Sequence, residues 1–313
     1  MIILCLLALL PPAVLMYVIY QQDKIEKEPA KLLAKIFAFG CLSTIPAIVL
    51  EMVGGAVLGM FLPTNSVLYI VLENFIVVAM SEEFVKMMGA KLAAWKSPEF
   101  NYKFDSIVYC VFSALGFAAL ENLLYVLPGG FHVGVARSFL SIPGHCIFGI
   151  IVGYYFGLAK EAEVRGDKAG AKKLLWKSII MASLAHGFYD CALSLGSTLM
   201  MLLFFVFVVV MDVWAIRFVK KQSKEDTALP LDVNDPAVVY GYVQQPQAPV
   251  QGQPAQPPVF GQPVAPAQPV APAAQAQPTA PVAPATAATA TETPLAAPVD
   301  TRADASNNSN TFK

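Results

Sequence analysis

The chain has 313 residues, 56% of them hydrophobic and 14% charged, with a formal net charge of −1. Soluble globular chains average about 45–50% apolar and about 25% charged residues, and no basic excess is present to hold a polyanion. A soluble enzyme, a nucleic-acid binder and a secreted disulfide scaffold are therefore all disfavoured. Sixteen of the 24 prolines follow Lys224, whereas nearly every long apolar run precedes it. The composition thus predicts an all-α polytopic membrane bundle over residues 1–224 and a Pro/Ala/Gln-rich tail over 225–313.

Crossing about 30 Å of hydrocarbon takes about 20 apolar residues in a helix. Seven segments answer to this in chain order: 1–20, 34–61, 66–94, 104–127, 137–159, 174–195 and 197–219. The first, MIILCLLALLPPAVLMYVIY, lacks a basic flank and an A-x-A site, so it reads as an uncleaved span rather than a signal peptide. Breaker-rich connections follow: QQDKIEKEP, PTN around Pro63, WKSPEFNYK, PGGFH and AKEAEVRGDKAGAKK. The last two spans are separated almost only by Leu195-Gly196-Ser197. Cys5, Cys41, Cys110, Cys146 and Cys191 each lie alone in a hydrophobic segment without metal-ligand spacing, as small apolar fillers do. From about Thr227 the Q-P, A-P and P-V repeats oppose helix and strand, because proline lacks an N–H and fixes φ. A disordered tail of polyproline II character is expected, either passive or bound to an unknown partner.

Basic residues orient the bundle. Seventeen Lys and Arg fall on alternate connections and just after the last span, against Arg137 alone on the other side. By the positive-inside rule the N-terminus is outside and the tail cytoplasmic, in a multi-pass protein of the cell membrane.

Ionisable groups inside spans cost about 2.5–3.5 kcal/mol each at a helix centre and mark function. The spans carry Glu51, Glu73, Glu82, Glu83, Lys86, Glu121, His145, His186, Asp190 and Asp212. Lys86 lies three and four residues past Glu83 and Glu82, so a helix sets it beside both. Pairing with one glutamate would leave the other to bind a metal or take a proton. Glu121, without an adjacent cation, needs a partner from another helix. His145 follows Pro143-Gly144. Asp190, one turn from His186, is placed to orient that imidazole and set its tautomer. At a rise of 1.5 Å per residue, Glu83 and His186 each lie ~18 Å from the inner end of their spans, and His145 ~12–14 Å from the outer end of its own. Glu121 is ~25 Å from the inner end of its span, so one layer can hold all four. No G-x-S-x-G elbow, H-E-x-x-H motif or pair of catalytic aspartates is available. A Glu/Glu/His/His set remains, suited to activating water at a bound Zn²⁺ or through a glutamate base.

Five motifs occur in one order: DKIEKEP, SEEFVK (E-E-x-x-K), GFAALEN, an isolated mid-span His145 and HGFYD (H-x-x-x-D). Over about residues 10–220 this resembles the PrsW family of intramembrane proteases. That family is related to the CAAX prenyl endopeptidase and bacteriocin-processing group, whose pattern uses E-E-x-x-x-R. The resemblance implies a helical membrane protease that cuts a membrane-anchored protein, with an anti-sigma factor as the substrate class. It also implies a site in which Glu82 and Glu83 are the paired acids, Lys86 their basic partner and Glu121 the third acid. His145 and His186 match the family histidines, and Asp190 the terminal acid. Two chemistries follow from it: Glu83, His145 and His186 bind Zn²⁺, or Glu83 activates water while the histidines stabilise an oxyanion. A proton-coupled transporter or a non-catalytic scaffold would use the same buried groups. Transporters commonly carry internal repeats, and none is evident here.

Overall fold

The computed structural model describes residues 1–230, which are helical apart from short connections and one isolated antiparallel bridge between Tyr102 and Ala228. Helix α1 (Ile2–Gln22) leads into α2 (Ala30–Phe61) and then into a third rod of three parts. These are α3 (Val67–Leu72), a π-helical segment (Glu73–Ala79) and α4 (Met80–Ala94). Next come α5 (Asp105–Phe139), α6 (Ser141–Val164), α7 (Lys168–Leu195) and α8 (Thr198–Lys224).

Among the described residues, five helical stretches are long and apolar enough to cross a membrane, and one of them, Asp105–Val164, contains both α5 and α6. The rod over 67–94, made of three shorter elements, is not one of the five. It carries Glu73, Glu82, Glu83, Lys86 and Lys91, and Glu82, Glu83 and Lys86 are buried among the other helices. Leu, Ile and Val side chains of α1, α2 and α8 are largely exposed, as at Leu10, Val53 and Val209. Apolar faces of this extent suit a lipid surround. α6 and the Asp105–Ala119 part of α5, by contrast, are largely buried.

The PGGFH connection departs from a simple loop. Helical backbone continues to Phe139, broken at Gly130 with φ 78° and ψ −164°. Along a straight helix, residues fifteen apart would be ~22 Å apart. Yet Arg137 Nε lies 2.6 Å from Asn122 Oδ1, so the chain doubles back at Gly130. The returning stretch packs on α1, where Ser138 Oγ donates to the Leu7 carbonyl at 3.0 Å. Arg137, expected in an outer connection, is thereby folded against the bundle.

The π-helical segment is held by α7. A Cβ placed on Gly187 would lie 2.6 Å from Phe75 Cδ1, so glycine is what lets the two backbones approach beside His186. At the other end, Asp226 Oδ1 accepts from the Phe104 amide at 2.9 Å, and Leu229 is buried. The packed region therefore extends a few residues past Lys224. The disorder and partner expected for the rest of the tail lie outside the described residues.

Two glycine substitutions are expected to destabilise for different reasons. Gly130→Ala meets open space but needs a backbone conformation closed to alanine, at a cost of about 1–3 kcal/mol. Gly187→Ala keeps ordinary helical backbone but overpacks Phe75, also costing about 1–3 kcal/mol. Thermal unfolding in detergent checks both, and unchanged melting of Gly130→Ala would refute the reversal at that residue.

Candidate functional site

The site begins on α4, where the E-E-x-x-K spacing brings one ammonium to two carboxylates. Lys86 Nζ is 2.8 Å from Glu83 Oε1 and 2.9 Å from Glu82 Oε2, the second contact being an ion pair without hydrogen-bond alignment. Both glutamates are paired, where pairing of only one was expected, because i+3 and i+4 are equally within reach of a flexible lysine stem. Relative exposure is 0% for Glu83, 2% for Lys86 and 5% for Glu82. The ammonium also sits 4.6 Å from the Phe117 ring centroid.

α6 and α7 supply the histidines. His145 Nδ1 lies 3.1 Å from Lys86 Nζ, and its Nε2 lies 3.0 Å from Glu121 Oε2. An ammonium has no lone pair, so Nδ1 accepts and the Nε2–H donates to Glu121. His186 Nδ1 faces Glu83 Oε1 at 2.9 Å, while Nε2 faces Asp190 Oδ2 at 3.1 Å. Its ring stacks on Phe148 at 4.7 Å. Glu121 receives its cation from Arg137 Nη2 at 2.6 Å. That cation comes from the returning end of its own helical stretch, while the partner expected from another helix is His145 on α6.

These groups surround a cavity of about 410 Å³ lined by Glu82, Glu121, Arg137, His145, His186 and Asp190 among others. The walls come from α2, the π-helical segment, α4, α5, α6 and α7. All seven residues singled out in the sequence meet here, with Glu83 and Lys86 forming the layer behind the wall. Glu73 is satisfied within its own rod by the Tyr69 hydroxyl at 3.0 Å, and Asp212 faces a separate, mostly apolar groove.

Two wall residues lie outside the five motifs. Arg137 enters the sequence pattern only as a topological charge, and in the structure it lines the cavity. Glu51 was recognised as an intramembrane acid but belongs to no motif; it lines the cavity from α2.

The donor set suits a metal ion. One ligand atom from each of Glu82, Glu83 and His186 lies within 4.8 Å of the others. Glu83 Oε2 is buried and has no hydrogen-bond partner. Five carboxyls line or back the cavity (Glu51, Glu82, Glu83, Glu121, Asp190) against two permanent cations, Lys86 and Arg137. This trio shares Glu83 and His186 with the expected Glu83, His145 and His186 and contains Glu82, while His145 contacts Lys86 and Glu121.

The model of the PrsW family intramembrane metalloprotease matches residues 28–214. Protease PrsW of Geobacillus kaustophilus (strain HTA426) is 33% identical over 180 residues, covering 58% of this chain and 75% of the relative. Protease PrsW of Clostridioides difficile (strain 630) is 31% identical over 224 residues, covering 70% of this chain and 90% of the relative. Protease PrsW of Halalkalibacterium halodurans is 31% identical over 219 residues, covering 70% and 96%. No solved structure matches the chain. With the family match spanning most of the bundle and its paired glutamates and histidines gathered in one polar cavity, this chain belongs to the PrsW family of intramembrane metalloproteases.

Proposed function

We propose that the chain hydrolyses a peptide bond of a membrane-anchored regulatory protein, of which an anti-sigma factor is one example, at the cavity behind Glu82. The observation that carries this reading is the Glu82–Glu83–His186 group, backed by Lys86 and opening on a polar cavity within an apolar bundle. Glu82, Glu83 and His186 are the residues that would hold Zn²⁺; when bound, the ion would supply Lewis acidity and an acidified water.

The chain's own groups have separable tasks. Glu82 is the member of the acidic pair at the cavity wall, and the carboxylate oxygen that it would not give to the ion takes the proton of the attacking water and returns it to the departing amine. Glu83, behind the wall, is held by Lys86 and fixes the His186 ring through Nδ1. Asp190 holds the other ring nitrogen, so the imidazole cannot rotate. Arg137 uses two of its guanidinium donors on Asn122 and Glu121. Five are available in all, so the remainder serve to polarise a substrate carbonyl and receive its developing negative charge. Glu121 and His145 position Arg137 and close the chain of contacts back to Lys86.

Glu82→Gln is expected to lower cleavage about 10²–10⁴-fold with the bundle intact. Proteomics of membrane-protein fragments in cells carrying wild type against Glu82→Gln/Glu83→Gln reads this out. Wild-type fragment levels from a stably expressed double variant would end the mechanism.

Arg137→Gln is expected to lower cleavage about 10²–10³-fold, as loss of an oxyanion donor commonly does. Arg137→Lys should rescue little, since a lysine cannot hold Asn122 and Glu121 at once with one planar fork. Full activity of Arg137→Gln would remove it from the site.

For zinc, elemental analysis of purified protein should find the metal in wild type and its loss in Glu83→Gln and His186→Ala. For orientation, with the N-terminus outside and the chain after α8 cytoplasmic, reporter fusions after Lys224 and within 128–136 should report opposite sides. An extracytoplasmic signal from the former contradicts this.

A further inference from the structure

A second group of acids lies at the far end of α5 from the cavity. Asp105, which opens α5, is 16 residues before Glu121, or ~24 Å along the helix. Asp23 follows α1, and Glu28 lies just ahead of α2. The three are 0%, 1% and 4% exposed for Asp105, Asp23 and Glu28. One carboxylate oxygen from each lies within 4.8 Å of the other two.

The hydrogen bonding at this group is incomplete. Asp105 Oδ2 accepts from the backbone amides of Asn101 at 3.1 Å and Tyr102 at 2.7 Å. Glu28 Oε2 accepts from the Tyr109 hydroxyl at 2.6 Å. Asp105 Oδ1 and Asp23 Oδ2 are buried and accept from no amide, hydroxyl or ammonium donor, Asp105 meeting Glu28 only carboxyl to carboxyl. Lys27, the cation that acts on Asp23, donates its ammonium to the backbone carbonyls of Tyr20 and Asp23. At the catalytic cavity, by contrast, Lys86 and Arg137 contact the carboxylates directly. Desolvation pushes the Asp23 carboxyl up to about 6 and that of Glu28 up to about 7, the direction expected of acids packed together without a cation between them.

We propose that Asp23, Glu28 and Asp105 form a second metal site, for a hard divalent cation of the Mg²⁺ or Ca²⁺ class, that ties together the end of α1, the entry to α2 and the start of α5. The donors are all oxygen, with neither imidazole nor thiolate, which is the set that Mg²⁺ and Ca²⁺ prefer over zinc. The unpartnered oxygens on Asp23 and Asp105 are the positions at which an ion would complete the buried network. The site stands independently of the proteolytic reading, because it shares no residue with the cavity.

The test uses full-length protein in detergent, freed of metal by chelation. It carries Glu82→Gln/Glu83→Gln so that the cavity group does not contribute. Mn²⁺ binding is followed by electron paramagnetic resonance and by thermal unfolding. The expected result is a saturable Mn²⁺ site that Mg²⁺ or Ca²⁺ displaces, with a melting temperature raised by each ion. Asp23→Asn and Glu28→Gln should each weaken Mn²⁺ binding at least about tenfold and remove the thermal shift. Asp105→Asn also disturbs the Asn101 and Tyr102 amides, so the first two variants decide the matter if it fails to fold. Absence of a saturable Mn²⁺ site overturns the proposal. So does Mn²⁺ binding by Asp23→Asn and Glu28→Gln equal to that of the parent, or stabilisation of the parent by acid alone with no response to metal.

Discussion

The site depends on one buried ammonium. Lys86 stands between Glu82, Glu83 and His145, with the Phe117 ring beneath it. Burying an isolated charge costs several kcal/mol, and removing one partner of a buried pair commonly costs about 3–5 kcal/mol. A bundle with the two glutamates and no lysine would therefore have to admit water, protonate an acid or come apart. The contact with His145 lies across helices, and the Lys86 carbonyl accepts from Ser113 Oγ on α5 at 2.7 Å. The same residue thus neutralises the acids and sets the register of α4 against α5 and α6.

A second cation completes the site by a different route. Glu121 is far along α5 and has no basic neighbour at helical spacing. The reversal at Gly130 brings Arg137 back to it, and Asn122 holds the other edge of the guanidinium. A bidentate, planar donor is suited to this, because it anchors on two side chains and still presents further N–H groups. Glu82 and Glu83 are thereby tied to Lys86 and Glu121 to Arg137, with His145 bridging the two groups.

The π-helical turn and Gly187 act at the level of the backbone. π-bulges are common at functional sites because the wider turn rotates the downstream helix relative to the upstream one. Here the segment immediately precedes Glu82 and Glu83, and it rests on α7 beside His186 through the Phe75–Gly187 approach. Asn74 of that segment also meets α7, accepting from Ser194 Oγ at 3.3 Å. The acidic pair and its histidine are positioned by one packed contact.

Much of this was legible from the chain itself, where the signal was periodic or local. Hydrophobic length located the spans. The three- and four-residue offsets of Lys86 from its glutamates, and of Asp190 from His186, put those groups on shared helix faces whatever surrounded them. What the tertiary structure alone decided are the contacts between residues far apart in sequence. Arg137 reaches Glu121 only because Gly130 adopts a conformation that reverses the chain, and helical periodicity carries no trace of a reversal. Lys86 engages both glutamates and also His145, and Glu82 is the residue whose carboxylate lies within 4.8 Å of both Glu83 and His186. That grouping depends on distances between α4, α6 and α7, which no spacing within one helix encodes. Asp23, Glu28 and Asp105 likewise look like separate surface acids in the sequence, and only the convergence of three helix ends buries them together.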